Sequence, residues 1–124
     1  MEKIFGEMEE IFGEMDNKNV YGNKRRIMNN TIVNLALQVL PSSLVKHPYD
    51  IVDEAIKVIA QSGLNYKVTP FETVIEGHYD EIMRLVKQVQ ETCYKVGADS
   101  LMTYIKIQSS RRDVTIADKM AKYE

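Results

Sequence analysis

Hydrophobic and polar residues alternate along two long segments of the chain, Thr31 to Leu40 and Ser100 to Ser109. In the first segment one face carries Val33, Leu35, Leu37 and Val39. In the second segment one face carries Leu101, Thr103, Ile105 and Ile107. Successive side chains of a strand point to opposite faces, so this alternation predicts two strands, each with one largely apolar face.

Two other segments have the spacing of an amphipathic helix. The segment from Tyr49 to Ser62 places its apolar stripe at Val52, Ala55, Ile56 and Ile59. The segment that begins at Tyr79 places its stripe at Ile82, Val86, Val89, Cys93 and Val96. Steps of three and four residues bring such side chains to one face of a helix, and Gly63 and Gly97 stand where a helix commonly ends. The pattern therefore predicts two helices.

The stretch from Asn65 to Gly77 is rich in β-branched and aromatic residues and is interrupted by Pro70. Proline cannot donate to a central ladder, so we expect two short strands on either side of it. A short helix from Thr115 to Lys122 is predicted at the end. The order is strand, helix, strand, strand, helix, strand, which predicts an α+β, ferredoxin-like βαββαβ fold with two helices on one face of a four-stranded antiparallel sheet.

The other face of this sheet is expected to be open. Its predicted residues are Asn34, Ala36, Gln38, Lys67, Thr69, Met102, Tyr104 and Lys106. This mixture is too apolar for a simply solvated face and too polar for a core. Such a face is typical of a subunit interface or the floor of a ligand site.

Residues 1–30 differ from the rest and are interpreted as an N-terminal extension to a domain over residues 31–124. The run Ile4–Met8 recurs as Ile11–Met15, which suggests a short amphipathic segment that docks on a partner, followed by a polar linker. A competing hypothesis makes Met28 the natural start. The codons for Lys24–Met28 can spell a purine-rich ribosome-binding sequence just before a start codon, so residues 1–27 would then be an over-extended reading frame.

Composition narrows the class of protein. The chain has 124 residues, 44% hydrophobic and 27% charged, which is the size and balance of one globular domain. A net charge of −2 argues against general nucleic-acid binding. The single cysteine, Cys93, fits a reducing compartment, and no apolar run is long enough to span a bilayer. We expect a cytoplasmic protein without membrane or nucleic-acid partners.

Candidate chemistry is sparse. The only histidines are His47 and His78, and the sequence shows neither a nucleophile paired with a base nor a glycine-rich phosphate loop. The sequence therefore predicts a protein that is not an enzyme and that needs no metal or cofactor. Thr73 and Glu76 are the polar candidates for a functional role, because each lies among β-branched residues of a predicted strand.

Several blocks of sequence, in order, resemble the small thiamine-binding proteins related to YkoF. They are Gln38–Pro41, Ile51–Asp53, Gly63–Tyr66, Pro70–Gly77 and Lys106–Asp113, with Lys119 beyond. The run Pro-Phe-Glu-Thr-x-x-Glu-Gly is the most specific, and the likeness covers about residues 31–123. The resemblance implies a ferredoxin-like fold, homodimers or homotetramers, and binding of thiamine or its hydroxymethylpyrimidine part.

The resemblance also directs attention to a set of ligand-binding residues. The set is Thr73, Glu76, Phe71, Gln38, Ser42, Ser43 and Tyr104. Glu76 and Thr73 suit the donors and acceptors of an aminopyrimidine, and Phe71 or Tyr104 suits stacking on a ring or facing the thiazolium cation. The loop at Ser42 and Ser43 is expected to close over Thr73, and one ligand is expected to reach Glu76.

Two alternatives stay open. Glu76 has a structural interpretation, in which it pairs with Arg111 or Arg112 or caps the second helix. The second alternative concerns the function of the whole protein. It is an oligomeric regulatory or assembly module that uses the open sheet face and binds no thiamine.

Overall fold

The computed structural model describes residues 30–124. Within this range the chain forms four strands and three helices. They are β1 (Val33–Ser42), α1 (Pro48–Gln61), β2 (Asn65–Val68), β3 (Thr73–Gly77), α2 (Tyr79–Lys95), β4 (Ser100–Gln108) and α3 (Ile116–Met120). The predicted α+β, ferredoxin-like fold is confirmed. The repeat near the N-terminus and the proposed start at Met28 lie outside the described residues.

The four strands form one antiparallel sheet in the order β2-β3-β1-β4. The central strand β1 pairs with its two neighbours over different lengths. It pairs with β4 from Asn34 to Ser42 but with β3 only from Val33 to Leu37. Beyond the pair Leu37 and Thr73, no strand from residues 30–124 lies beside the edge of β1 that faces away from β4, and this gap positions the site described below.

The core lies between α1, α2 and one face of the sheet. Its most deeply buried side chains include Val33, Leu35, Ile51, Ile59, Ile75, Ile82, Val86, Val89 and Cys93. The predicted stripe of α2 is confirmed at four of its positions. The stripe of α1 is rotated from the prediction, because Ile51 is fully buried while Val52 and Ile56 are only partly buried. Burial of the Cys93 thiol raises its pKa, so this cysteine is core packing and not a nucleophile.

The face of the sheet away from α1 and α2 is only half open, which corrects the expectation for the region around Asn34. Asn34 is 3% exposed, and its Nδ2 donates to the carbonyl of Val114 at 2.9 Å. The N–H of Val114 donates in turn to the carbonyl of Ile32 at 2.8 Å. These bonds hold the segment that leads into α3 over this end of the sheet. The other end, at Met102 and Tyr104, is exposed as expected.

None of the helices within residues 30–124 has both the length and the apolar character that a membrane crossing requires.

Candidate ligand site

A cavity opens beside β1 at the point where β3 ends. Its volume is about 200 Å³, and we call it the helix-side cavity because it lies on the face of the sheet that packs against the helices. The sheet contributes Leu37 to Leu40, α1 contributes Val52, Ala55, Ile56 and Ile59, and the turn between β2 and β3 contributes residues 69–73. The lining is therefore mostly apolar with a few polar groups, which is the usual make-up of a small-molecule site.

The turn between β2 and β3 is fixed by the side chain of Thr69. Its hydroxyl donates to the carbonyl of Glu72 at 2.6 Å and accepts from the N–H of the same residue at 3.1 Å. The N–H of Thr69 also donates to that carbonyl, at 3.0 Å. Three bonds between the same two residues close a tight loop with Pro70 and Phe71 at its tip.

Two aromatic side chains stand at the mouth of the helix-side cavity. Phe71, at the tip of the turn, is 81% exposed, and Tyr49, in the first turn of α1, is 75% exposed. Both belong to the lining. The side chain of His47 accepts from the N–H of Tyr49 at 3.1 Å, which fixes the start of the helix there. Two exposed rings at one mouth are suited to cover a flat or cationic ligand.

Thr73 supplies a polar side chain to the cavity wall. It is 7% exposed and shares the helix side of the sheet with its β1 neighbour Leu37. Its hydroxyl makes no hydrogen bond with another of residues 30–124, and it is not one of the fully enclosed polar atoms without a partner. The hydroxyl therefore keeps some accessible surface, where a ligand atom can bond to it.

Among residues 30–124, the lining of the helix-side cavity contains no lysine or arginine. The one charged residue of this described lining is Glu72, which forms an ion pair with Lys106, with Oε1 and Nζ 3.1 Å apart. Lys106 belongs to the opposite face of the sheet, so the charge of Glu72 is drawn toward that face. A ligand of the helix-side cavity thus meets neutral polar groups and aromatic rings.

The structure brings together three of the residues that the sequence singles out. Phe71, Thr73 and Gln38 all line the helix-side cavity. Gln38 belongs to the lining where β1 continues past the end of β3, but strand alternation directs its side chain to the open face. Tyr104 lies across from Gln38 on β4 with its ring on the open face, 52% exposed. Tyr104 is therefore separated from the cavity by the sheet.

Ser42 and Ser43 do not close over Thr73, which corrects that expectation. The β1 partner of Thr73 is Leu37, so Ser42 lies five residues further along, roughly 17 Å at the rise of a strand. Ser43 is also fully engaged where it stands. Its hydroxyl donates to the carbonyl of Gly97 at 2.7 Å and accepts from the N–H groups of Val45 and Lys46.

Glu76 lies on the other face of the sheet from Thr73. Thr73, Ile75 and Gly77 are buried toward the helices, while Glu76 pairs with Asn34 and points to the open face. Its Oε2 accepts from the N–H of Ile116 at 2.7 Å, at the first residue of α3. The carboxylate thus has a structural role at the start of the C-terminal helix, rather than at the second helix or at the arginines.

We expect Glu76→Ala to lower the free energy of unfolding by about 1–2 kcal/mol, because a charged acceptor of a backbone N–H is lost. Affinity for a ligand in the helix-side cavity should stay within about twofold, since the sheet lies between them. Urea unfolding and a ligand titration measure the two effects. The control is Glu91→Ala, at an exposed helical carboxylate, which should change neither. Unchanged stability with a large loss of affinity would contradict this role.

Sequence reasoning missed Tyr49 as a site residue. Tyr49 lies off the apolar stripe of α1. The only signal in the sequence is that a large aromatic residue occupies the first turn of a predicted helix. Val52 and Ile56 were assigned to the core stripe, and their partial exposure reflects their place in the cavity wall.

Comparisons with known proteins agree with this architecture. Residues 35–124 match the model of the family described as Thiamine-binding protein. A UPF0045 protein of Clostridium perfringens (strain 13 / Type A) is 37% identical over 90 residues, which make up 73% of this chain and 95% of that protein. A domain of unknown function from Bacillus cereus has a solved structure with 38% identity and a TM-score of 0.74, over 76% of this chain and 91% of that chain.

A second solved structure is that of a candidate thiamine biosynthesis/salvage protein from Thermotoga maritima. It has 28% identity and a TM-score of 0.69, over 75% of this chain and 99% of that chain. The family match covers the whole lining of the helix-side cavity.

Proposed function

Because this chain belongs to the thiamine-binding protein family, we propose that it binds thiamine, or the hydroxymethylpyrimidine part of thiamine, in the helix-side cavity. The observation that carries the proposal is a mostly apolar cavity that is lined by Thr73, whose hydroxyl bonds to no described residue, and flanked at its mouth by Tyr49 and Phe71. The similarity to a candidate thiamine biosynthesis/salvage protein supports it.

The polar groups of the cavity suit an aminopyrimidine. This ring presents an amino donor next to ring-nitrogen acceptors. The hydroxyl of Thr73 both donates and accepts. The edge of β1 beyond Leu37, which has no described strand beside it, adds main-chain donors and acceptors at the same wall, while the apolar side chains of α1 contact the faces of the ring.

The thiazolium ring carries a permanent positive charge and extends toward the mouth in this arrangement. Phe71 and Tyr49 offer aromatic faces there, and a cation over such a face is stabilised by the negative side of the ring quadrupole. The lining contains no lysine or arginine that could neutralise a phosphate. We therefore propose that unphosphorylated thiamine is preferred over thiamine diphosphate.

The proposed activity is binding without conversion, in salvage, transport or buffering of the ligand. The helix-side cavity has no histidine or cysteine in its lining. A group that exchanges protons near neutral pH or attacks as a nucleophile is what hydrolysis or transfer at this site would need. Thr73 supplies hydrogen bonds only.

Isothermal titration of the full chain with thiamine, thiamine diphosphate and hydroxymethylpyrimidine tests the proposal. We expect micromolar binding of thiamine at about one molecule per chain, and affinity for the diphosphate lower by roughly fivefold or more. Absence of heat with all three ligands, at concentrations where millimolar binding registers, would refute thiamine binding. Tighter binding of the diphosphate would refute the preference.

A specific observation favours a second function, self-association as an assembly module. The uncovered end of the open face exposes Leu40, Met102 and Tyr104, and the outer edge of β4 has no strand beside it among the described residues. An apolar face next to a free edge suits a homodimer or homotetramer. Sedimentation of the full chain tests this, and a monomer at all concentrations would exclude it.

A further inference from the structure

Two cavities meet on the open face of the sheet beside α3, across the sheet from the helix-side cavity. Their volumes are about 290 Å³ and 210 Å³. Both linings include Asn34 from β1, Val74 from β3 and Lys119 from α3. We call this pair of cavities the open-face site.

The floor of the open-face site contains a buried polar atom without a partner. Asn34 is 3% exposed, and its Nδ2 donates to the carbonyl of Val114. Its Oδ1 is enclosed and accepts no hydrogen bond from any described residue. The bond to a carbonyl fixes which end of the amide is the oxygen, so the free group is an acceptor. A ligand that satisfies it must carry an N–H or O–H donor.

The rim of the open-face site carries charges of both signs. Its described linings contain three lysines, Lys67, Lys106 and Lys119, and one carboxylate, Glu72. The Glu76 carboxylate lies on the same face beside Asn34, where it accepts from the N–H of Ile116. Lys106 lies 3.1 Å from Glu72, and Lys67 lies 3.3 Å from Glu124. Lys119 has no ion pair within residues 30–124, so its ammonium group is the one available to a ligand.

These observations together carry an inference about a second ligand. We propose that the open-face site binds a small anion that also carries its own O–H or N–H donor, such as a hydrogen phosphate group. The anion lies against Lys119, with Lys106 and Lys67 within the same rim, and its donor reaches Asn34 Oδ1. Lysine binds phosphate as a point charge, and the pairing with an amide acceptor selects the protonated oxygen.

The open-face site differs in chemistry from the helix-side cavity and does not depend on thiamine binding. The sheet separates the two, and only the turn between β2 and β3 contributes to both, through Thr69 and Glu72. The helix-side cavity has no cation in its lining, whereas the open-face site has three. Thiamine binding can therefore fail while anion binding holds, and the reverse.

Nuclear magnetic resonance with inorganic phosphate tests the inference on the full chain at pH 7 and low ionic strength. We expect saturable shifts of the Asn34 side-chain amide and of the backbone amides of α3. Lys119→Gln should weaken the binding by about fivefold or more. The matched control is Lys122→Gln, on the same exposed segment but outside the lining, and it should change affinity by less than about twofold. Lys106→Gln, on the folded sheet, is the second test variant and should also weaken binding.

Titration with sulfate separates the two proposed contacts, the charge contact with lysine and the hydrogen bond to Asn34 Oδ1. Sulfate has the shape and charge of phosphate but carries no proton near neutral pH, so we expect sulfate to bind at least about threefold more weakly. Shifts that never saturate, or that are equal in the Lys119→Gln and Lys122→Gln proteins, would overturn the site. Equal affinity for sulfate and phosphate would overturn the role of Asn34.

Discussion

We expect the double substitution Tyr49→Ala and Phe71→Ala to weaken thiamine binding by roughly 10- to 100-fold and to leave the free energy of unfolding nearly unchanged. The two rings are 75% and 81% exposed in the free protein, so their removal opens no cavity in the core. In the proposed complex with thiamine, the two rings stack on the ligand and face its positive charge. Titration calorimetry and urea unfolding measure the two quantities.

The matched control removes two aromatic rings that lie elsewhere. Tyr94 and Tyr123 are 51% and 70% exposed and do not line the helix-side cavity. Their double alanine variant should bind thiamine like the original protein. Hydroxymethylpyrimidine lacks the thiazolium ring, so the aromatic substitutions should weaken its binding less than that of thiamine. Equal affinity of the original and Tyr49→Ala, Phe71→Ala proteins would contradict the placement of the ligand at this mouth.

The second large effect is expected for Thr73→Val, which should lower the affinity for thiamine without lowering the free energy of unfolding. Thiamine affinity should fall by about tenfold, because the ligand loses a hydrogen bond and its own polar atom is left buried without a partner. Stability should stay level within about 1 kcal/mol, because the hydroxyl bonds to no described residue and its removal breaks no hydrogen bond of the free protein. Titration calorimetry gives the first change and urea unfolding the second.

Thr103→Val is the control for these effects on thiamine affinity and on the free energy of unfolding. Thr103 lies on the same face of the sheet, on β4, and its hydroxyl accepts from Nε2 of Gln90 at 3.1 Å. Removing a hydroxyl that is used should lower stability by about 1 kcal/mol and leave thiamine affinity unchanged. If Thr73→Val destabilised the protein like Thr103→Val and bound thiamine normally, the hydroxyl of Thr73 would be structural.

The elements of the fold were predictable because each has its own local signal. Alternation specifies β1 and β4, the helical period specifies α1 and α2, and Pro70 marks the break between β2 and β3. Register has no such local signal. The pairing of Leu37 with Thr73 places β3 against the first half of β1 only, and that choice creates the gap beside Gln38.

Part of the site could have been predicted better from the sequence. Thr73 and Glu76 are three residues apart in one strand, so the period of two already places them on opposite faces and excludes a small ligand that touches both. The role of Glu76 at α3 could not have been predicted, because it depends on a tertiary contact with Ile116, 40 residues away in sequence.

The exposure of β4 also depends on tertiary packing. Ile105 and Ile107 alternate like core residues, yet they are 38% and 40% exposed. The partner of Thr103 on α2 is Gln90, so the helix contacts β4 at its first half. The second half of the strand extends past the helix and keeps an apolar surface in water.

The most direct test of the central claim is a structure of the full chain with thiamine bound, determined by crystallography or by intermolecular nuclear Overhauser effects. We predict the pyrimidine ring within hydrogen-bond distance of the Thr73 hydroxyl and of the main chain of β1 beyond Leu37, and the thiazolium ring against Phe71 and Tyr49. A thiamine molecule bound at Glu76 or Tyr104 on the open face, with the helix-side cavity empty, would contradict the account.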